Sequence, residues 1–492
     1  MTRLVLFLGF LLPAILAVQD EHDHPAPEKL GTVSFPTSCQ PRTQQEFNRA
    51  VALLHSFVYK VAEEAFERVA VEDPQCAIAH WGIAMTHYHQ LWEPMLPAAE
   101  IAAAQKEIAQ AALLQKASER ERGFIRALSL VFEDASTVPY STRALNYEMA
   151  MRSLAAANPK DVETQVFYAL ALISNASPLD KKHQKQKLAA DLLEPLWREF
   201  PDHPGIPHYL IHACDSQEMA SRGLAAARTY ANIAPSAPHA LHMPSHIFTR
   251  LGLWDDSIAS NLAARSAAKR QGDTGEELHA MDYLVYAYLQ RGRDQEAAQV
   301  IQQLRAMHNL GVGDFKSGYA ATAMPIRYIV ERHQWNDAEK IVNPLDSAQP
   351  QVVAIAVWAR GLGAARNGHA PQAQKEFETL RRIEEQLRTS GDNYWATQVN
   401  IMKREVLAWS DQAEKKTDEG AAILRSAADE EDGIEKLPVT PGPIIPAREQ
   451  LGELLLQQGD FVSAAKAFEI ALANAPGRRG ALLGATQVPH SH

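Results

Sequence analysis

The spacing of histidines is the feature of this sequence that most clearly indicates chemistry. His208 and His212 are four residues apart, and so are His242 and His246. Two imidazoles at positions i and i+4 lie on one face of a helix, where both can bind a single metal ion. The chain has 19 histidines among 492 residues, so their concentration in one stretch predicts a shared site. Its candidate metal ligands are His208, His212, His239, His242, His246, His279 and Asp282.

These residues recur in register with a helix-turn-helix repeat of about 34 residues. Pro235, the pair Gly252 and Trp254, and Gly292 set that register without reference to any polar side chain. In this register three positions of each first helix lie on one stripe, because steps of three and four residues stay on one face. We expect that stripe to line the concave side of a superhelix. The nine stripe residues are Gly205, His208, His212, His239, His242, His246, His279, Asp282 and Tyr286.

The register predicts one transition-metal site rather than scattered histidines. Neighbouring helices pack about 8 to 10 Å apart, so imidazoles from adjacent repeats can reach one ion at bonds of about 2.0 to 2.1 Å. We expect His208, His212, His242 and His246 to form its core, with His239, His279 and Asp282 as further ligands or as partners of the ligands. An imidazole-rich set suits Zn(II) or Cu(II).

One feature of the sequence makes the geometry of a metal site less certain, and a metal-free alternative exists. Pro244 falls between His242 and His246, and a proline inside a helix removes a backbone donor and kinks or breaks the helix. The alternative is a metal-free polar groove, in which the histidines bond one another, water and the tyrosines at 209, 283 and 286.

No catalytic motif accompanies the histidines. The sequence contains no G-x-S-x-G, no H-E-x-x-H and no phosphate-binding glycine loop. A metallohydrolase would need a general base near the metal, and the nearest carboxylates in sequence are Asp215, Glu218 and Asp282. Catalytic residues are therefore not assigned, and no organic cofactor is expected.

The net charge bears on the protein's partners, and the amino terminus bears on its location. The net charge is −11 and no block of Lys and Arg occurs, which argues against a nucleic-acid or anionic-membrane partner. Residues 1–17 combine Arg3, an apolar run and small residues at Ala14 and Ala17, as a secretory signal peptide does. The run is too short for a membrane anchor. We therefore expect a periplasmic or secreted protein with no membrane insertion once the signal is removed.

Three cysteines in an exported chain permit one disulfide and one thiol. Cys39 precedes the first repeat helix and Cys76 opens a later one, so we predict a bond between them that fastens the N-terminal extension to the first repeat. Cys214 lies beside the histidines, and its place in the apolar pattern favours the core.

The rest of the chain predicts an all-α solenoid of tetratricopeptide type, a right-handed superhelix with helical insertions. We expect an N-terminal extension over 18–42 and the superhelix over 43–476, with its last clean repeat at 445–476. A proline-rich link, KLPVTPGPIIP, leads into that repeat, and residues 477–492 are expected to form a frayed C-terminal tail. Ser118 and Glu121 are spaced as a capping box at the start of a helix.

Several segments together resemble a family of exported bacterial tetratricopeptide-repeat (TPR) proteins with no assigned activity. They are VSFPTSC, LLHSF, DPQCAIAHWGIAM, SERERGFIRAL, PDHPGIPHYLIHACD and APHALHMPSHIFTRLGLW. The resemblance spans nearly the whole chain after the signal peptide. It implies the helical-repeat fold and export, and it implies nothing about a reaction.

Three functional hypotheses follow from the sequence. The first is an exported scaffold that binds a protein or peptide in its concave groove, as stacked repeats commonly do, and that holds a metal at the histidines. The second is a metal-dependent hydrolase or oxidoreductase that uses the same histidines. The third is a scaffold without metal.

Overall fold

The computed structural model describes residues 28–91, 96–344 and 348–489. The predicted signal peptide and residues 18–27 of the predicted N-terminal extension lie outside these ranges. All regular structure within them is helical, which confirms the predicted all-α solenoid. No helix in the same ranges is long and apolar enough to cross a membrane.

The first third of the chain forms helix pairs with one inserted helix. The alanine-rich insertion forms α4, and the predicted capping box opens α5: the Ser118 hydroxyl accepts from the Glu121 amide at 3.2 Å, while the Glu121 carboxylate accepts from the Ser118 amide at 2.7 Å. The helices are α1 (Gln44–His55), α2 (Tyr59–Glu72), α3 (Ala77–Thr86), α4 (Ala98–Leu113), α5 (Glu119–Phe132), α6 (Tyr140–Ala157), α7 (Val162–Ser174) and α8 (Gln184–Glu199).

The middle third carries the candidate ligands. Pro244 divides one repeat helix into two: α11 ends at His242 and α12 begins at Pro244, because proline has no amide hydrogen to continue the helical bonding. The break predicted from the sequence is confirmed. The helices are α9 (Gly205–Ala213), α10 (Ala220–Ile233), α11 (Pro238–His242), α12 (Pro244–Arg250), α13 (Trp254–Gln271), α14 (Thr274–Gln290) and α15 (Asp294–Ala306).

The last third continues the pairs to the end of the described chain. The predicted last repeat corresponds to α22 and α23. The helices are α16 (Phe315–Val330), α17 (Trp335–Ala338), α18 (Pro350–Arg366), α19 (Ala370–Thr389), α20 (Asn393–Ala413), α21 (Thr417–Asp432), α22 (Ala447–Gln458), α23 (Phe461–Asn474) and α24 (Arg479–Thr486).

First helices of successive repeats pack against one another and form the inner layer. The contacts run from α7 to α9, α9 to α12, α11 to α14, and then through α16, α18 and α20 to α22. Helix α14 has apolar neighbours on most of its faces, and its residues from Glu276 to Gln290 are buried. One apolar core lies before Trp254 and another begins there. The histidine-bearing helices lie where the two cores meet.

The C-terminal residues pack back onto the middle of the chain and are not a frayed tail. Residues 479–486 form α24, which contacts α14. Gly252 has a φ of +67°, and a Cβ there would lie 2.4 Å from the Pro476 carbonyl oxygen, so this approach requires glycine. Arg478 is fully buried and donates to Glu331 and Glu449 at 2.8 to 3.0 Å. Paired burial explains why this segment is ordered where the sequence predicted fraying.

The proline-rich link covers the inner side of the histidine region, and we call residues 434–446 the strap. Lys436 Nζ donates to Asp215 Oδ2 at 2.6 Å, and Arg327 donates to the Pro443 carbonyl at 3.1 Å. The Tyr283 hydroxyl lies 3.4 Å from the Thr440 carbonyl oxygen. The concave surface at this level is therefore occupied by the chain itself.

Candidate metal centre

The structure sorts the six candidate histidines into two groups of three instead of one site. One imidazole nitrogen from each member lies within 4.8 Å of those of the other two. We call the groups triad A, formed by His208, His212 and His239, and triad B, formed by His242, His246 and His279. Adjacent repeats contribute to each triad: α9 and α11 to triad A, and α11, α12 and α14 to triad B.

In triad B two ring nitrogens approach each other at the distance expected of ligands to one ion. The Nε2 atoms of His242 and His246 are 3.0 Å apart. Two nitrogens bonded to one ion at about 2.0 to 2.1 Å are separated by about 2.9 Å at a right angle and about 3.4 Å at the tetrahedral angle. The break at Pro244 therefore leaves the two imidazoles correctly spaced.

Hydrogen bonds on the far side of both rings show that this approach is not an ordinary hydrogen bond. His242 Nδ1 donates to Asn261 Oδ1 at 2.6 Å, and the Asn261 amide is oriented by its own donation to the Ser257 carbonyl at 2.8 Å. His246 Nδ1 donates to the Asp215 carboxylate at 2.9 Å. Each neutral imidazole carries one hydrogen, so both Nε2 atoms present lone pairs to each other. A cation between them removes that repulsion.

In triad A two ring nitrogens are similarly close, but the positions of the imidazole hydrogens are less restricted. His208 Nδ1 donates to the His55 carbonyl oxygen at 2.5 Å, which leaves His208 Nε2 as a lone pair, and His212 Nε2 lies 3.1 Å from it. His212 Nδ1 has no hydrogen-bond partner among the described residues. His212 can therefore place its hydrogen on Nε2 and donate to His208, so triad A accommodates either a metal ion or an internal hydrogen bond.

All six imidazoles are buried, and burial favours the neutral form that metal binding requires in five of them, His208, His212, His242, His246 and His279. Their exposure ranges from 0% for His208 and His242 to 7% for His212. Burial, followed by the neighbouring imidazoles, holds the pKa of His208, His212, His242 and His279 well below the usual value. Burial lowers the pKa of His246 to about 4, although Asp215 opposes the shift. The prediction that all six share one region is met, but they do not line an open groove.

Two carboxylates, Asp215 and Glu276, lie behind imidazole rings of the triads and orient them. Each carboxylate also has a cationic partner. Asp215 also binds Arg250 at 2.9 Å and Lys436 at 2.6 Å. Burial would raise the pKa of Asp215, yet Lys436 and Arg250 hold it well below its usual range. Glu276 lies 3.4 Å from His239 Nδ1 and 2.6 Å from Lys316 Nζ. An acceptor behind the ring fixes the tautomer and aims Nε2 inward, as around bound metals in proteins.

Asp282, predicted as a ligand or as a partner of the ligands, belongs to neither triad. Its carboxylate is buried beside Arg327, whose Nε lies 3.8 Å from Oδ1. Burial raises the pKa of Asp282 to about 6, with Arg327 opposing the shift. The stripe predicted from the sequence turns away from the triads at this point, and Tyr283 approaches triad B instead, with its hydroxyl 3.4 Å from His246 Nε2.

A third buried group was not found from the sequence. Glu163 accepts from His55 at 2.8 Å and from His203 at 3.0 Å. Both carboxylate oxygens are thus occupied, and His203 and His55 lower the pKa of Glu163 in spite of its burial. This group supports triad A, because the His55 carbonyl orients His208. No local pattern indicates it, since His55 and Glu163 are 108 positions apart.

The cysteines lie where the sequence predicted. Cys39 and Cys76 are joined in the structure, with Cα atoms 4.9 Å apart. Cys214 is buried and unbonded to another cysteine, and burial raises the pKa of its thiol to about 12. Cys214 belongs to neither group of three histidines.

Comparisons with known proteins give long alignments to solved structures but only low similarity. No family model matches the chain, and no curated protein matches its sequence. Yeast Tom70 aligns over 90% of this chain and 87% of its own, with 11% identity and a TM-score of 0.34. The TPR domain of P58(IPK) aligns over 91% and 97%, with 12% identity and a TM-score of 0.22. Naa15/Naa10 bound to HypK-THB aligns over 89% and 59%, with 13% identity and a TM-score of 0.24. At these scores no function passes from those proteins to this chain.

Proposed function

We propose that this protein binds transition-metal ions at triads A and B, inside a helical-repeat scaffold. The observation that carries the proposal is the pair of Nε2 lone pairs of His242 and His246, 3.0 Å apart with both Nδ1 atoms committed to acceptors. Two buried lone pairs that face each other at this distance repel, and a metal ion is a partner that both nitrogens can share. Imidazole donors without thiolate or carboxylate favour Cu or Zn.

The support for a metal is stronger at triad B than at triad A. Three His ligands leave a four-coordinate ion with one open position, as in catalytic rather than structural zinc sites. The orienting acceptors Asn261, Asp215 and the His55 carbonyl come from three separate parts of the chain. Such a shell keeps the ligands in place before metal arrives.

Metal titration tests the proposal. Protein produced without a histidine tag and stripped with a chelator is titrated with Zn(II) or Cu(II) against a chromophoric competitor. We expect two ions per chain for the wild type and about one for His208→Gln, His212→Gln or for His242→Gln, His246→Gln. His369→Gln is the matched control, because His369 is exposed and lies outside both triads. Equal uptake by all four proteins would overturn the proposal.

The second hypothesis, a metal-dependent enzyme, is favoured by a cavity beside triad B. The cavity has a volume of about 160 Å³. Its wall includes Arg250 and Lys436, which bind Asp215, and Thr440, whose carbonyl faces Tyr283. A small molecule in this cavity would contact Arg250, Lys436 and Thr440, which in turn contact the residues beside triad B. Turnover that requires metal and is lost in His242→Gln, His246→Gln would establish this function, as hydrolase or as oxidoreductase; turnover unchanged by the double substitution would exclude the triad.

We further propose that the protein is exported and binds a protein or peptide partner. The strap occupies the concave surface at the triads, so a partner would have to dock elsewhere on the helical repeats. Export to the periplasm or outside is supported by the bonded Cys39 and Cys76, since disulfides persist in oxidising compartments. Thiol counting on the denatured, unreduced protein should give one thiol, and a count of three would contradict the disulfide.

A further inference from the structure

Triads A and B are in direct contact with each other. The ring centres of His212 and His246 are 6.1 Å apart, and those of His239 and His242 are also 6.1 Å apart. Within a triad the separations reach 6.4 Å, as between His212 and His239. The separations between triads thus lie inside the range found within the triads, which is 4.2 to 6.4 Å. Ions bound in both would be neighbours.

The surroundings supply little negative charge for two such ions. All six candidate ligands are imidazoles, which bind metal in the neutral form, and the nearest carboxylates are already countered by cations. Asp215 is matched by Arg250 and Lys436, and Glu276 by Lys316. Two divalent ions would leave four positive charges in a buried site, and an uncompensated buried charge is strongly unfavourable. One bridging hydroxide between the ions would reduce this to three positive charges.

Tyr283 places a hydrogen-bond donor beside triad B. Its hydroxyl is 3.4 Å from His246 Nε2, and its ring lies 4.7 Å from that of His242. The side chain is 1% exposed. The hydroxyl lies 3.4 Å from the Thr440 carbonyl oxygen, at the outer limit for a hydrogen bond. A stronger acceptor close to the ions can therefore draw the Tyr283 hydrogen towards itself.

We infer that triads A and B bind a pair of copper ions that share one small bridging anion, hydroxide or an anion of similar size, to which Tyr283 donates a hydrogen bond. Copper is favoured because Cu(II) binds nitrogen donors most tightly among the divalent first-row ions. The inference rests on the metal-binding function proposed above. Three imidazoles per ion leave a coordination position on each for the shared ligand.

Electron paramagnetic resonance tests the pair on the whole wild-type protein. Each isolated Cu(II) ion has one unpaired electron, whereas two ions joined through one bridging atom couple their spins and lose the signal. With two Cu(II) bound per chain, we expect less than a tenth of the copper to be visible. His208→Gln, His212→Gln should bind one copper and show it fully.

The outcomes separate this inference from the proposed function. Two bound coppers with full signal would overturn the bridged pair and leave metal binding intact. Uptake of a single copper by the wild type would also overturn the pair. No uptake would overturn both.

Azide is the probe for the bridging position. Added azide should bind the copper-loaded protein and give a new charge-transfer absorption. Tyr283→Phe should keep both coppers and bind azide about ten-fold more weakly, since a hydrogen bond to an anion is lost. Tyr230→Phe is the matched control, because Tyr230 stacks on His208 but points its hydroxyl towards Ser56, 3.3 Å away. Equal azide affinity in all three proteins would overturn the role of Tyr283.

Discussion

His246 shows how one residue links burial, proton binding and metal binding. It is 2% exposed, donates to Asp215 and presents its other nitrogen to His242. Burial in the folded state holds its pKa about where a carboxylic acid titrates, at about 4. The same environment that disfavours the proton keeps the lone pair available for a cation, so the metal-free protein should be sensitive to acid.

We predict that His246 makes the metal-free protein less stable as the pH falls. Its pKa is about 4 folded and 6.5 ordinarily, so between these values the unfolded chain binds more protons and unfolding becomes more favourable. His246→Gln keeps a donor for Asp215 and does not titrate. Relative to that variant, the wild type should lose about 1.4 kcal/mol per pH unit between pH 6.5 and 4.5, measured by urea unfolding in excess chelator. A difference that stays constant with pH would contradict the shift.

At the scale of elements, the strap connects the C-terminal repeats to the metal centre. Prolines keep residues 434–446 out of a helix, so the backbone is free to contact several inner helices. Lys436 is 7% exposed and reaches Asp215, which lies 221 positions away in the sequence. The strap therefore joins the C-terminal third of the chain to its middle third at the carboxylate that accepts from His246.

Lys436→Met should loosen the strap. The substitution keeps the apolar stem but removes a charged hydrogen bond to Asp215, a loss of about 2 kcal/mol. We expect faster hydrogen exchange in residues 434–446, measured by mass spectrometry. The control is Lys416→Met, since Lys416 is exposed and pairs only with acidic side chains on the surface. Unchanged exchange in the strap of Lys436→Met would show that the other contacts suffice.

At the scale of the whole molecule, the C-terminal segment packs back onto the middle of the chain, whereas an open solenoid leaves its ends free. Helix α24 contacts α14, and the Trp254 indole donates to the Gly477 carbonyl at 3.1 Å. Arg478 joins Glu331 and Glu449, which belong to different repeats. In an ordinary repeat protein each repeat contacts only its neighbours, so this closure should add cooperativity.

Arg478→Met should open the closure. It leaves two buried carboxylates facing each other without a cation, a change that costs about 3 to 5 kcal/mol when one partner of a buried pair is removed. We expect limited proteolysis to release the C-terminal segment at a protease concentration that leaves the wild type intact. Lys466→Met, on the exposed face of α23, should behave as wild type. Identical cleavage of all three proteins would mean that apolar contacts alone hold α24.

The sequence by itself determined the helices and indicated the six clustered histidines, because both depend on spacing along one chain segment. The i, i+4 pairs, the break at Pro244 and the capping box at Ser118 are local, and each is found in the structure as predicted. The register also placed Asp282 on the stripe as a candidate ligand or partner of the ligands, and in the structure that carboxylate lies beside Arg327 and joins neither triad.

Only the tertiary structure decided how the six histidines divide into triads A and B and which residues surround them. The acceptors that set the tautomers come from afar, such as the His55 carbonyl, which is 153 positions from His208. The strap that covers the triads belongs to the C-terminal third of the chain. The segment predicted as a C-terminal tail packs on α14, where Arg478 pairs with buried carboxylates. Pairing across such distances depends on how helices stack and on which buried charges meet. Spacing within one segment carries no information about either.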